Sequence, residues 1–227
     1  MNTFLLFDDF MLENYRGLRR RHFKPEACGE FFLNGITAGS SVVYSPESKS
    51  YILYYSTISD YSKDWDRELF YAESLDAINF ESKGRVIGVE KTGSLLVTRD
   101  NHTSSADELY KTVIMKINME NSSQGKGYVA VSADGINWSA KTGYKISDHA
   151  SDTSNNVFYN PVLGKYQIIC RGAHIDRRIT SLMSEDLKSW SDPVLVMAPT
   201  PFDTPLTQYY GMTVSPLDGI FLGFLQL

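Results

Sequence analysis

The feature that most restricts what this chain can fold into is a short turn written three times. Ser74-Leu75-Asp76-Ala77-Ile78-Asn79-Phe80, Ser132-Ala133-Asp134-Gly135-Ile136-Asn137-Trp138 and Ser184-Glu185-Asp186-Leu187-Lys188-Ser189-Trp190 each run Ser, any residue, Asp, then an aromatic six positions after the Ser. The copies start 58 and 52 residues apart (132 − 74 and 184 − 132). Self-similarity at a spacing of this order points to propeller blades or solenoid units. A second mark keeps the same register. Ser45-Pro46, Asn160-Pro161 and Ser215-Pro216 are each followed, five residues after the Pro, by Tyr51, Tyr166 or Phe221. One copy is skipped, and Ser105 to Tyr110 fills the gap with Ser in place of Pro.

Between these marks lie short β-branched and aromatic runs bounded by turn residues, which read as strands. Ser40 to Tyr44, Tyr51 to Thr57, Glu68 to Ala72 and Arg85 to Val89 make a first four-stranded antiparallel blade. Leu95 to Thr98, Leu109 to Ile117, Gly127 to Ser132 and a strand after Trp138 make a second, and Asn156 to Tyr159, Tyr166 to Arg171, Arg178 to Met183 and Pro193 to Met197 a third. Gln208 to Val214 and Ile220 to Leu227 begin a fourth, which has no Ser-x-Asp turn. Helical periodicity of useful length is missing. The expected fold is therefore an all-β β-propeller filling residues 1–227 as one domain, with blades at 36–92, 93–147 and 148–200 and a partial blade at 201–227. Residues 1–35 hold two strands, Thr3 to Phe7 and Gly17 to Phe23, that belong to no repeat. They could complete the fourth blade and close the ring; alternatively the ring stays open and a second copy covers the edge in a homodimer.

The aspartates of the turns read as structural. Asp and Gly fix a tight hairpin through side-chain to backbone hydrogen bonds, and the aromatic packs between neighbouring blades. The net charge of −5 argues against nucleic acid as a partner. The longest apolar runs are too short to span a membrane, and Phe4 to Phe7 runs at once into Asp8-Asp9. Without a visible leader the expected location is cytoplasmic, which makes Cys28 and Cys170 thiols rather than a disulfide or a metal pair.

Blade geometry sorts the remaining polar residues onto two faces. The turns within strand pairs one-two and three-four share one face; the loops between strands two and three and between blades share the other, where chemistry is expected. That face collects Asp60, Asp64, Trp65, Asp66 and Arg67, with His102 near the rim of the second blade. The third blade adds Asp148, His149, Asp152 and Asn155, then Arg171, His174, Asp176, Arg177 and Arg178, and the fourth adds Asp203, Gln208, Tyr209 and Tyr210. Aromatic rings that stack on a sugar, with carboxylates and guanidinium groups that bind its hydroxyls, suit a carbohydrate. For Asp60 to Arg67 the competing reading is a solvated surface. Asp152 immediately precedes an inner strand, so its carboxylate could face the central channel.

Several stretches carry a family resemblance: Leu6-Phe7-Asp8-Asp9-Phe10, Asp152 to Pro161 continuing to Gly164-Lys165-Tyr166 and Arg171, Ser184 to Pro193, and Thr207-Gln208-Tyr209-Tyr210-Gly211-Met212. The chain resembles a group of bacterial proteins similar to the five-bladed propeller enzymes of glycoside hydrolase families 32 and 43. The resemblance implies a carbohydrate-active protein acting on or binding an oligosaccharide. Two departures are visible. The chain ends within its fourth blade, whereas members of that group are longer, and Asn34-Gly35-Ile36-Thr37 before the first inner strand lacks the aspartate those enzymes place there.

Glycoside hydrolysis needs one carboxyl group as acid and a second as nucleophile or base. Asp152 is one candidate, and Asp203 or Asp148 the other. Arg171, Asn155, His149, His174, Gln208, Tyr209 and Tyr210 are the candidate substrate contacts. Arg171 could equally hold down the pKa of Asp152. A non-catalytic sugar-binding or interaction module is the main alternative, and a phosphorylase using Arg177-Arg178 with His174 is a third. No cofactor is implied, although His149 and His174 leave a channel cation open.

Overall fold

In a computed structural model the described residues are 16, 36–58, 67–89, 95–116, 126–146, 155–172, 177–217 and 220–227. Four sheets follow one another along the chain. The first is β1 (Ile36–Ser45), β2 (Ser50–Ile58), β3 (Arg67–Ser74) and β4 (Glu81–Arg85). The second is β5 (Thr98–Arg99), β6 (Tyr110–Lys116), β7 (Lys126–Ser132) and β8 (Ser139–Lys145). The third is β9 (Asn156–Asn160), β10 (Lys165–Arg171), β11 (Ile179–Ser184) and β12 (Val194–Met197). The last described pair is β13 (Gly211–Leu217) and β14 (Ile220–Gln226). Each four-stranded sheet is an antiparallel meander in chain order, which is the construction of a propeller blade.

Blades pack through both faces of their central strands, and the period of two in a strand explains how. Val113 and Ile114 are adjacent in β6 yet belong to different cores. Ile114 joins Ile52, Tyr54 and Leu69 of the first blade, whereas Val113 joins Val157, Ile168 and Leu182 of the third. Ile168 and Ile169 divide in the same way, Ile169 packing with Tyr209 and Val214 of the fourth. Three inter-blade cores thus arise from continuous apolar runs.

The Ser-x-Asp turns are structural, as their repetition implies. Asp134 Oδ1 accepts the N–H groups of Ile136 and Asn137 at 2.8 Å each and the Ser132 hydroxyl at 2.9 Å, while Oδ2 accepts the Asn137 amide at 2.8 Å. Asp76 and Asp186 make the same backbone contacts. The third residue after each Ser has positive φ: Ala77 at 60°, Gly135 at 77° and Leu187 at 64°. Only the second copy meets this with glycine, and there a Cβ would fall 2.3 Å from the Tyr54 hydroxyl of the preceding blade. Trp138 and Trp190 donate Nε1–H to the carbonyls of Gly135 and Leu187 and join inter-blade cores. Phe80, by contrast, packs with Leu53, Tyr55, Phe70 and Ala72 of its own blade.

Several expectations need correction: β5 is only Thr98–Arg99 instead of Leu95 to Thr98, and β13 begins at Gly211 instead of Gln208. The fourth strand of the first blade is Glu81–Arg85, earlier than Arg85 to Val89. Beyond it the backbone turns to the next blade, where Ile87 N donates to Ile136 O at 2.9 Å and Trp138 N to Ile87 O at 2.8 Å. The missing copy of the Ser/Asn-Pro turn is not at Ser105, which precedes a 3-10 turn over Ala106–Glu108. Arg99 opposite Tyr110 matches Tyr44 opposite Tyr51 and Tyr159 opposite Tyr166, so Asp100 takes the place of Ser45 and Asn160. Its Oδ1 accepts from His102 N at 2.8 Å, as Asn160 Oδ1 accepts from Val162 N at 3.0 Å. His102 consequently lies in the β5–β6 loop, on the face opposite to the one expected, stacked on Tyr159 at 4.3 Å.

Asp100 is also half of an ion pair. Lys111 Nζ lies 2.7 Å from Asp100 Oδ2, and each side chain is 1 % exposed. Tyr166 of the third blade donates its hydroxyl to Asp100 at 2.9 Å, and Lys111 also donates to the Glu108 carbonyl at 2.5 Å. Inner strands are stitched by side chains as well. Ser41 Oγ accepts Val97 N at 2.9 Å and donates to Leu95 O at 3.1 Å, and Asn156 Oδ1 accepts Val214 N at 2.8 Å while its amide reaches Thr98 Oγ1 at 3.4 Å. Cys170 is a buried thiol with Sγ 3.4 Å from Thr180 Oγ1. Thr3 to Phe7, Gly17 to Phe23 and Cys28, and with them the mode of ring closure, lie outside the described residues. Among the described residues no helix is long and apolar enough to cross a membrane.

Candidate functional site

The described part of the candidate face lies where the third blade meets the fourth. β10 and β11 pair up to Arg171 opposite Ile179, and Gly172 N donates to Arg178 O at 3.2 Å, so the end of the hairpin brings Arg171 and Arg177 towards the same side. The segment from β12 to β13 arrives there too, because Tyr209 N donates to Arg177 O at 3.1 Å and Tyr210 N to Gln226 O at 2.8 Å. Tyr209 sinks its ring into the core with Phe158, Ile169 and Ile179 and is 7 % exposed. Its neighbour Tyr210 turns outward, 37 % exposed.

Two guanidinium groups converge on that outward ring. The Arg171 Cζ is 4.9 Å and the Arg177 Cζ 5.0 Å from the Tyr210 centroid, within cation–π range. Arg177 Nη1 donates to Gln208 Oε1 at 2.7 Å, which fixes the plane of the fork. Arg171, Gln208 and Tyr210, which the sequence marks only separately, are thus drawn together, and Arg177 joins them. Asn155 is buried just before β9.

Asp203 is differently placed. Its Oδ2 accepts the N–H and hydroxyl of Thr200 at 2.6 and 2.9 Å and the Tyr209 hydroxyl at 3.3 Å. The Thr200 backbone bond, followed by its hydroxyl, holds the carboxyl below its ordinary range. Burial first, and then the Asp203 charge, push the Tyr209 hydroxyl up. Such a carboxylate stays ionised, so it can accept a hydrogen bond or act as a base, but it is poorly disposed to donate a proton. Asp148, His149, Asp152 and His174 lie outside the described residues. Among the described residues no group of three or more His, Cys, Asp and Glu side chains is arranged to hold a metal ion.

No family model and no curated protein sequence matches the chain. Solved structures do. A fructofuranosidase from Schwanniomyces occidentalis complexed with fructose superposes with a TM-score of 0.62 at 14 % identity, covering 86 % of this chain and 42 % of the enzyme. An exo-β-1,3-galactanase from Phanerochaete chrysosporium with galactose gives 0.57 at 14 % identity over 82 % of this chain and 41 % of the other. An N-acetylgalactosamine deacetylase from F. plautii, in complex with blood group B trisaccharide, gives 0.56 at 14 % identity over 79 % and 58 %. The chain therefore has the β-propeller fold, shared with these solved structures, and it spans less than two thirds of the length of each.

Proposed function

We propose that this chain is a carbohydrate-active protein of the glycoside hydrolase type, taking an oligosaccharide on the face where the third and fourth blades meet. The observation that carries the reading is the convergence of Arg171, Arg177 and Gln208 on the exposed ring of Tyr210. An aromatic face for the sugar ring and planar donors for its oxygens are the two elements a sugar subsite requires. The shared fold with carbohydrate enzymes supports it. Asp203, kept ionised by Thr200, serves as an acceptor or base, and the acid falls to Asp152 or Asp148.

The test is a hydrolysis and binding screen over aryl glycosides and oligosaccharides, run with wild type and Asp152→Asn. Turnover abolished by Asp152→Asn is the expected result. Turnover indifferent to that change removes Asp152 from the mechanism, and neither binding nor turnover of any sugar overturns the reading. A non-catalytic sugar-binding module is the second reading, favoured by the engagement of Asp203 in its own turn. Binding without turnover selects it.

A further inference from the structure

We propose that the sugar bound here carries a carboxylate, so that the ligand class is an acidic glycan built of uronic acid units. The inference rests on the carbohydrate reading above and sharpens it. Arg171 and Arg177 both stand about a ring's width from one centroid, that of Tyr210. Arg177 is exposed, and a carboxylate is the ligand group that best complements an exposed guanidinium. The hydrogen bond that orients Arg177 goes to the neutral amide of Gln208, so this contact fixes the guanidinium without neutralising it. A planar fork positioned in this way matches a carboxylate through two parallel N–H···O bonds, a fit that a lone hydroxyl does not use.

Tyr210 supplies the other half of the recognition. Its ring is 37 % exposed while its neighbour Tyr209 is buried, so the aromatic surface offered to solvent is the one the two arginines flank. In a pyranuronate the carboxylate is attached directly to the sugar ring. A sugar face resting beside Tyr210 therefore brings its acid group within reach of guanidinium groups around the same tyrosine, and one residue of glycan satisfies both elements.

The experiment is calorimetric titration of the 227-residue protein with oligomers of galacturonate, glucuronate and mannuronate, the methyl esters of the same oligomers, and inorganic phosphate. Esterification removes the charge and leaves the sugar and linkage intact. The free acid of at least one series is expected to bind about tenfold or more tightly than its ester, the worth of one charge-assisted pair. Arg177→Gln is expected to bring acid and ester to near parity, the acid losing far more affinity than the ester, and Arg177→Lys, which keeps the charge but not the fork, to restore part of the difference. Thermal melts verify that the variants fold. Equal affinity for acid and ester in wild type overturns the inference and leaves the carbohydrate reading standing, as does a preference that survives Arg177→Gln. Binding of phosphate with no acid-over-ester preference reassigns the arginines to a free anion. Failure of every sugar to bind overturns both readings.

Discussion

Replacing Lys111 by methionine isolates the cost of one buried charge. The ammonium and the Asp100 carboxylate are 2.7 Å apart and both side chains are 1 % exposed, so removing the lysine leaves an anion with no cation beside it. Breaking a buried pair from one side costs about 3–5 kcal/mol. Asp100 would still accept from His102 N and the Tyr166 hydroxyl, which places Lys111→Met at the low end, near 3 kcal/mol. For a chain of this size that is a fall in melting temperature of about 6–12 °C. The double variant Asp100→Asn, Lys111→Met carries no buried charge and is expected within about 1 kcal/mol of wild type, because a buried pair often balances against an uncharged replacement. Burial works to raise the Asp100 pKa, but Lys111 and the N–H of His102 outweigh it and the net shift is downward. The sign follows: the pair's contribution is present at neutral pH and is lost as pH falls through and below the ordinary carboxylate range. Thermal and urea denaturation of wild type, both single variants and the double variant at pH 7 closes the cycle. Additive losses in the double variant, or a Lys111→Met protein that melts with wild type, would refute the reasoning.

Two further perturbations probe the joints between blades. Gly88 sits at φ +88°, and a Cβ there would lie 2.1 Å from the Trp138 carbonyl; Gly88→Ala is expected to cost about 2–4 kcal/mol by adding left-handed strain to overpacking, read by urea denaturation, and an unshifted midpoint would contradict it. For Asp134, burial pushes the carboxyl up, yet the N–H groups of Asn137 and Ile136 and the Asn137 amide hold it at about 2. A depressed carboxylate contributes stability above its unfolded pKa of about 3.9 and loses it as pH falls through its folded value. Asp134→Asn should then cost about 1 kcal/mol at pH 7, discounted for the exposure of the turn, and progressively less as pH falls to and below about 2; a pH-independent difference would exclude the charge as the cause.

The blade register was legible because it is local chemistry repeated: a Ser, an Asp and an aromatic at fixed offsets specify a turn whatever surrounds them. The displaced fourth strand was not, since Ile87 leaves its own sheet only in the presence of Ile136 and Trp138 of the next blade. Nor did the sequence reveal that Asp100 replaces Ser45 and Asn160, because the loop to β6 is longer there and hides the alignment. A signal existed in Lys111, the one charged residue in the strand-forming run Tyr110 to Ile114, which calls for a buried partner. For the candidate site, residue types indicated Arg171, Gln208 and Tyr210 separately. Their meeting depends on Tyr209 filling the inter-blade core and so turning its successor outward, a tertiary event with no local mark.

The stitching of inner strands bears on whether blades can be exchanged. Counted from the residue paired with the aromatic of β2, β6 or β10, Ser41, Leu96 and Asn156 occupy the same position. Ser41 and Asn156 each accept a backbone N–H from the following blade, from Val97 and Val214, whereas leucine can accept nothing. Any rearrangement that set a second copy of the middle blade after the first would put Leu96 where Ser41 is required and leave a buried amide unsatisfied, at about 1–3 kcal/mol. These repeats are alike in outline but directional in their fittings, so the order in which they are strung is itself part of what the sequence encodes.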